Sequence, residues 1–324
     1  MQSVYGTYFR NVKGMNMKKL AKIIGNILML SAIVFIIKKF IDMDIDFSQL
    51  KSPSVISALI ISFIIQTVIV VMGCFPWLVF TRSLSGKKIP FSEAMPVYTQ
   101  SNIYKYLPGN VFQYVGRNKL AFDMQISHVD VACATVFDIF FCVVSTGIIS
   151  AVLLGNTIAE LIQKYGKNFL VIGISAVILI AVALCVFYTK FKDKFRQYIL
   201  RYSKAFKGSN RFEVLKGVLY YFLQNTVSAV MYFISMKLIF GSTSDDFSLL
   251  INLTGAFMFA WIIGFITPGA PGGIGIRESV MIFVFGEAHE EIMLFVLAMR
   301  ISSVLADIMA FIIGKLYTRL KKAD

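Results

Sequence analysis

Two short stretches of this 324-residue chain place chemically useful residues at matching intervals. "PGNVFQYVGR", Pro108 to Arg117, and "PGAPGGIGIR", Pro268 to Arg277, each run from a Pro-Gly pair through seven residues to an arginine, 160 positions apart. Proline and glycine interrupt helices, and glycine lets backbone approach a ligand closely while offering amide donors. A helix restarting near Ile276 points its positive end at the break, which suits an anion such as phosphate. The candidate binding residues are therefore Pro108, Gly109, Gln113 and Arg117 in the first stretch, and Pro268, Gly269, Gly272, Gly273, Gly275, Arg277 and Glu278 in the second. Arg277 in a first helical turn is electrostatically unfavourable without an anion nearby; the alternatives are that it snorkels to the interface or pairs with Glu278. Glu278 suits a helix start on its own account.

Three further charges fall within apolar runs: Asp138, Arg300 and Asp307. Facing lipid, each would cost about 2.5–3.5 kcal/mol, so all three are expected to face the interior, with an Asp138 to Arg300 ion pair as one arrangement and a ligand contact as the other. Lys105 borders the first stretch, Glu93 is a further carboxylate for a cationic or hydroxylated head group, and Tyr104, Tyr106 and Tyr114 read as interfacial anchors. His128 and His289 are expected at helix starts on opposite faces, without a metal-binding partner. Cys74, Cys133, Cys142 and Cys185 form no CxxC pair and read as buried free thiols. No HExxH, DxxD pair or P-loop occurs, so neither a catalytic residue nor a metal or cofactor site is assigned.

The elements that position these residues follow from composition. The chain is 57% hydrophobic and 15% charged, with a mean hydropathy of +0.73, which excludes an ordinary soluble domain and indicates an all-α polytopic membrane protein. The net charge of +14 lies in short segments between apolar ones, where it sets topology rather than binding nucleic acid. Six full spans are expected: Leu20 to Ile37, Val55 to Phe80, Val131 to Leu154, Asn168 to Thr189, Gly217 to Met236 and Ile292 to Ile313. Phe91 to Arg117 and Phe247 to Gly286 are interrupted, and read as two re-entrant or broken-helix hairpins, which would also count as eight spans. The first span has no small-residue cleavage site and reads as a retained helix after a polar segment, 1–19, with Met15 or Met17 as alternative starts.

Lysine and arginine distribution orients the chain. The segment before Ile23, the loop Thr81 to Pro90, the basic loop 190–216 and the tail after Gly314 carry five, three, nine and four; the opposite loops carry five in all. Both termini are thus expected in the cytoplasm, provided each hairpin enters and leaves on one side of the cytoplasmic membrane. The 160-residue offset maps the second span onto the fifth and the third onto the sixth. It predicts, within one membrane domain over 1–324, a first repeat over 55–154 and an inverted second repeat over 217–315.

"YKYLPGNVFQYVGR" together with "TPGAPGGIGIRE" resembles the lysylphosphatidylglycerol synthase transmembrane family, a flippase-like membrane domain that occurs alone or fused to an aminoacyl-phospholipid synthase. The resemblance covers about Val55 to Tyr317, and the second motif is close to the family's Pro-Gly-Gly-x-Gly-x-x-Glu pattern. It implies movement of a lipid such as aminoacylated phosphatidylglycerol across the bilayer. Seven residues follow Tyr317, so the expectation is a stand-alone member without the soluble synthase domain. Arg277, directly before the motif glutamate, is a departure from the pattern. The expected ligand is a phospholipid or polyprenyl-phosphate lipid, with a separate lipid-modifying or glycan-synthesis enzyme as a partner. The alternatives are a small-solute or ion transporter, a membrane-embedded head-group transferase, and a scaffold for a lipid or glycan synthesis complex docked through the basic loop.

Overall fold

The computed structural model describes residues 50–107, 111–122, 124–155, 166, 210–241, 246–267, 273, 275–285 and 290–323. The expected first and fourth spans, the segment 1–19, most of the basic loop 190–216, Cys185 and His289 lie outside them.

Helices α1 (Pro53–Met72) and α2 (Cys74–Ser85) form one 33-residue apolar stretch broken at Gly73. Ser52 caps α1 by accepting from the Val55 amide, with proline behind it at the first helical position, where its missing N–H costs nothing. At the break an added Cβ on Gly73 would lie 3.0 Å from the Ile69 carbonyl oxygen and 3.3 Å from the Tyr98 hydroxyl, so only glycine fits without a shift. The first irregular stretch follows as α3 (Phe91–Asn102), a 3₁₀ turn (Ile103–Tyr106) and α4 (Phe112–Phe122). Then come α5 (His128–Leu153), capped by Ser127, and α6 (Asn210–Phe240). The second irregular stretch gives α7 (Phe247–Ile266), capped by Asp246, and α8 (Ile276–Phe285); α9 (Glu290–Ala323) closes the described chain.

Length separates spans from partial crossings. At 1.5 Å per residue, α4 and α8 reach only about 15–17 Å, half of a hydrocarbon core of about 30 Å. Among the described residues, five helices are long and apolar enough to cross a membrane: Pro53–Ser85, His128–Leu153, Arg211–Phe240, Phe247–Ile266 and Glu291–Lys321. Four of these match expected spans. The fourth in the series, α7, is the first arm of the second interrupted stretch and runs at full span length, because "FSLLINLTGAFMFAWIIGFI" holds no proline. The second irregular stretch is therefore one span-length helix followed by a half-length one.

Side-chain placement is that of a membrane protein. On α1, Ile56, Ile60, Ile64 and Val68 are exposed while Ala58 and Ser62 are buried; on α5, Val136, Phe140, Val144 and Ile148 are exposed while Asp138 and Ser145 are buried. Apolar groups outside and polar groups inside invert the soluble pattern and fit a lipid surround. Two apolar clusters hold the helices, one around Trp77, Phe80, Ala94 and Val131, the other around Met236, Phe257, Met281 and Phe295. Between them, α3 packs on α9 and α7 packs on α5, so the first helix of each irregular stretch rests on the last helix of the other half of the chain.

Candidate functional site

The polar residues converge on a cavity of about 210 Å³ between the two clusters. Its wall takes Gln66 from α1, Tyr98 and Asn102 from α3, Lys105 and Tyr106 from the 3₁₀ turn, and Gln113, Tyr114 and Arg117 from α4. From the other side come Asp138 of α5, Tyr221, Gln224, Asn225 and Tyr232 of α6, Trp261 and Gly264 of α7, Arg277 of α8 and Arg300 of α9. The two breaks thus deliver their arginines to one chamber.

Three cations are neutralised individually. Arg117 donates through Nη1 to Asp138 Oδ2 at 2.9 Å, and its guanidinium lies 3.9 Å from the centre of the Tyr98 ring. Tyr221 donates to the other Asp138 oxygen, so that carboxylate has a partner on each side. Lys105 Nζ sits 2.7 Å from Asp307 Oδ2, and Asn102 and Tyr106 also donate to Asp307 at 2.7 and 2.5 Å. Arg300 meets Glu278 at 3.1 Å and donates to the Gly273 carbonyl oxygen at 2.6 Å. Burial makes each pair necessary, since a buried charge without a partner carries several kcal/mol of desolvation cost.

Arg277 differs. Its Nε is buried with no hydrogen-bond partner among the described residues, and none of the buried ion pairs there includes it. Its stem lies along Gly264, where an added Cβ would stand 3.1 Å from Arg277 Cγ. The same glycine touches Gly273, whose own Cβ, at φ +71°, would come within 2.8 Å of Gly264 Cα. These two glycines let the broken segment press against α7, and Arg300 pins it there through the Gly273 carbonyl. Among the described residues, two more buried polar atoms at the cavity have no hydrogen-bond partner: Gln113 Nε2 and Gln224 Oε1. Among the described residues no three His, Cys, Asp or Glu side chains converge in a way that could hold a metal.

The profile of the lysylphosphatidylglycerol synthase TM region matches residues 23–312, nearly the whole chain. The chain belongs to that family. No curated protein and no solved structure matches it. In this member of the lysylphosphatidylglycerol synthase TM family, Gln113, Arg117, Asp138, Arg277 and Arg300 line the cavity as a group, with Gly273 and Glu278 directly behind Arg300 and Asp307 behind Lys105. Gly275, at φ +82°, begins the turn into α8. Pro108, Gly109, Pro268, Gly269 and Gly272 lie outside the described residues.

Several expectations are corrected. Asp138 pairs with Arg117, and Arg300 with Glu278, in place of an Asp138 to Arg300 pair; α4 packs directly on α5, which brings Arg117 to Asp138 first. Glu278 is a buried ion-pair partner and more than a favourable helix-end charge. Tyr106 and Tyr114 line the cavity, so neither is an interfacial anchor alone. Glu93 pairs with Lys321 at 3.0 Å, half-exposed and away from the cavity wall. Gln66, Gln224, Asn225, Tyr232 and Trp261 were not anticipated; amides inside apolar spans, as in "YFLQNTVS", were the available signal.

Proposed function

We propose that the chain translocates a phosphate-bearing lipid across the cytoplasmic membrane. The observation that carries this reading is the cavity's charge balance: Lys105, Arg117 and Arg300 each have a carboxylate, and Arg277 has none among the described residues. A membrane-embedded guanidinium without a counter-ion is costly, and a phosphate diester supplies one charge and several acceptors. The head group would sit at Arg277 with its acyl chains in lipid. The outer face of α4, with Val115 and Phe122 exposed behind buried Gln113 and Arg117, is an apolar partition between cavity and bilayer that such chains can follow.

In this reading the two halves are inverted repeats, both termini are cytoplasmic, and rocking of one half against the other presents the cavity to each leaflet in turn. The protein's part is transport and not catalysis, driven by a gradient or by consumption of the lipid on the far side by a separate enzyme. Mass spectrometry of lipids retained after gentle purification tests the site. Selective enrichment of a phosphate-bearing lipid that disappears in Arg277→Gln supports it; equal retention by both proteins rejects it.

A further inference from the structure

The cavity also bears on which head group follows the phosphate, an inference that rests on the transport reading above. We infer that the lipid carries an uncharged, hydroxylated head group, a small polyol or single sugar on phosphate, and not an aminoacylated, cationic one. Asp138 is the one carboxylate on the cavity wall among the described residues, and both of its oxygens are taken, by Arg117 and Tyr221. Glu278 is held by Arg300 through both oxygens. An ammonium group therefore meets no free anion there. After one phosphate balances Arg277, the two ammonium groups of a lysyl ester would leave the chamber strongly cationic.

The unpaired atoms favour hydroxyls. Gln113, only 3% exposed, offers an Nε2 donor and Gln224 an Oε1 acceptor, neither within hydrogen-bond geometry of a partner among the described residues. A hydroxyl both donates and accepts and so answers both demands, whereas an ammonium only donates. Tyr232 and Trp261 add aromatic wall, which suits the C–H faces of a polyol or sugar. At about 210 Å³ the cavity is below the roughly 300–1,000 Å³ of ordinary ligand pockets, which limits the head group to one small unit.

The test is lipid competition in nanodiscs read by native mass spectrometry, with equal amounts of phosphatidylglycerol, phosphatidic acid, phosphatidylethanolamine and lysylphosphatidylglycerol. The expected result is phosphatidylglycerol retained over each of the others by about tenfold, the factor that two ordinary hydrogen bonds supply. A Gln113→Leu, Gln224→Leu double variant should bring phosphatidylglycerol and phosphatidic acid toward parity. The wild-type ranking alone decides the matter if that variant does not fold. Arg277-dependent binding that ranks lysylphosphatidylglycerol first, or phosphatidic acid equal to phosphatidylglycerol, overturns the head-group inference and leaves the phosphate site standing. Binding of all four lipids that is unchanged in Arg277→Gln overturns the transport reading and this inference with it.

Discussion

Arg117 and Asp138 meet at 2.9 Å with side chains only 3% and 7% exposed, and Glu278 with Arg300 forms the same kind of link with the signs reversed. In each case a residue on a half-length helix is tied to the following long helix, 21 positions on in the first and 22 in the second. The ties fasten α4 to α5 and α8 to α9, alongside the packing of α4 on α3 and of α8 on α7.

Removing one member of the first pair leaves the other buried and uncompensated. Asp138→Ala is expected to destabilise the protein by about 3–5 kcal/mol. The Arg117→Met, Asp138→Leu double variant should lose less than Asp138→Ala alone, because no isolated charge remains. Thermal unfolding of purified protein in detergent distinguishes this from independent roles, which would make the double variant the least stable.

Gly273 and Gly275 are both left-handed but differ in surroundings. An alanine at 275 meets nothing within 4 Å and carries only the backbone cost, about 1–2 kcal/mol. An alanine at 273 adds a 2.8 Å collision with the Gly264 backbone and displaces the carbonyl that Arg300 holds. Gly273→Ala should therefore lower both folded yield and lipid retention more than Gly275→Ala, measured by size-exclusion recovery and bound-lipid analysis. Equal effects would show that the close approach to α7 is not required.

Ser62 on α1 and Ser235 on α6 face each other at 2.9 Å in the buried joint between the two halves of the chain. A Ser62→Cys, Ser235→Cys variant should form a disulfide on oxidation and stop transport, with recovery on reduction. Full transport by the cross-linked protein would contradict relative motion at that joint.

Periodicity and breaker residues made much of this legible in advance. Apolar runs located four of the five span-length helices among the described residues, and the glycine-proline breaks pointed to Arg117 and Arg277, which share a cavity. The full span length of α7 was not legible because a hairpin arm and a true span have the same composition. Ion-pair partners were hidden for a different reason: Asp138 had two arginines at plausible depth, and only the packing of α4 on α5 selects Arg117. Spacing alone carries no such information. The amides of α6, Gln224 and Asn225, were missed as wall residues although they stand in an apolar span, where an amide is a signal of an inward-facing position.

The central claim is that Arg277 holds the phosphate of a moving lipid. Its most direct test is the rate at which fluorescent phosphatidylglycerol crosses vesicles containing wild-type, Arg277→Lys or Arg277→Gln protein at equal folded amounts. The account predicts that wild type accelerates crossing, that Arg277→Lys keeps part of the rate, and that Arg277→Gln loses about tenfold or more, as expected for a charge-assisted contact of about 1.5–3 kcal/mol. Equal rates for wild type and Arg277→Gln would contradict it.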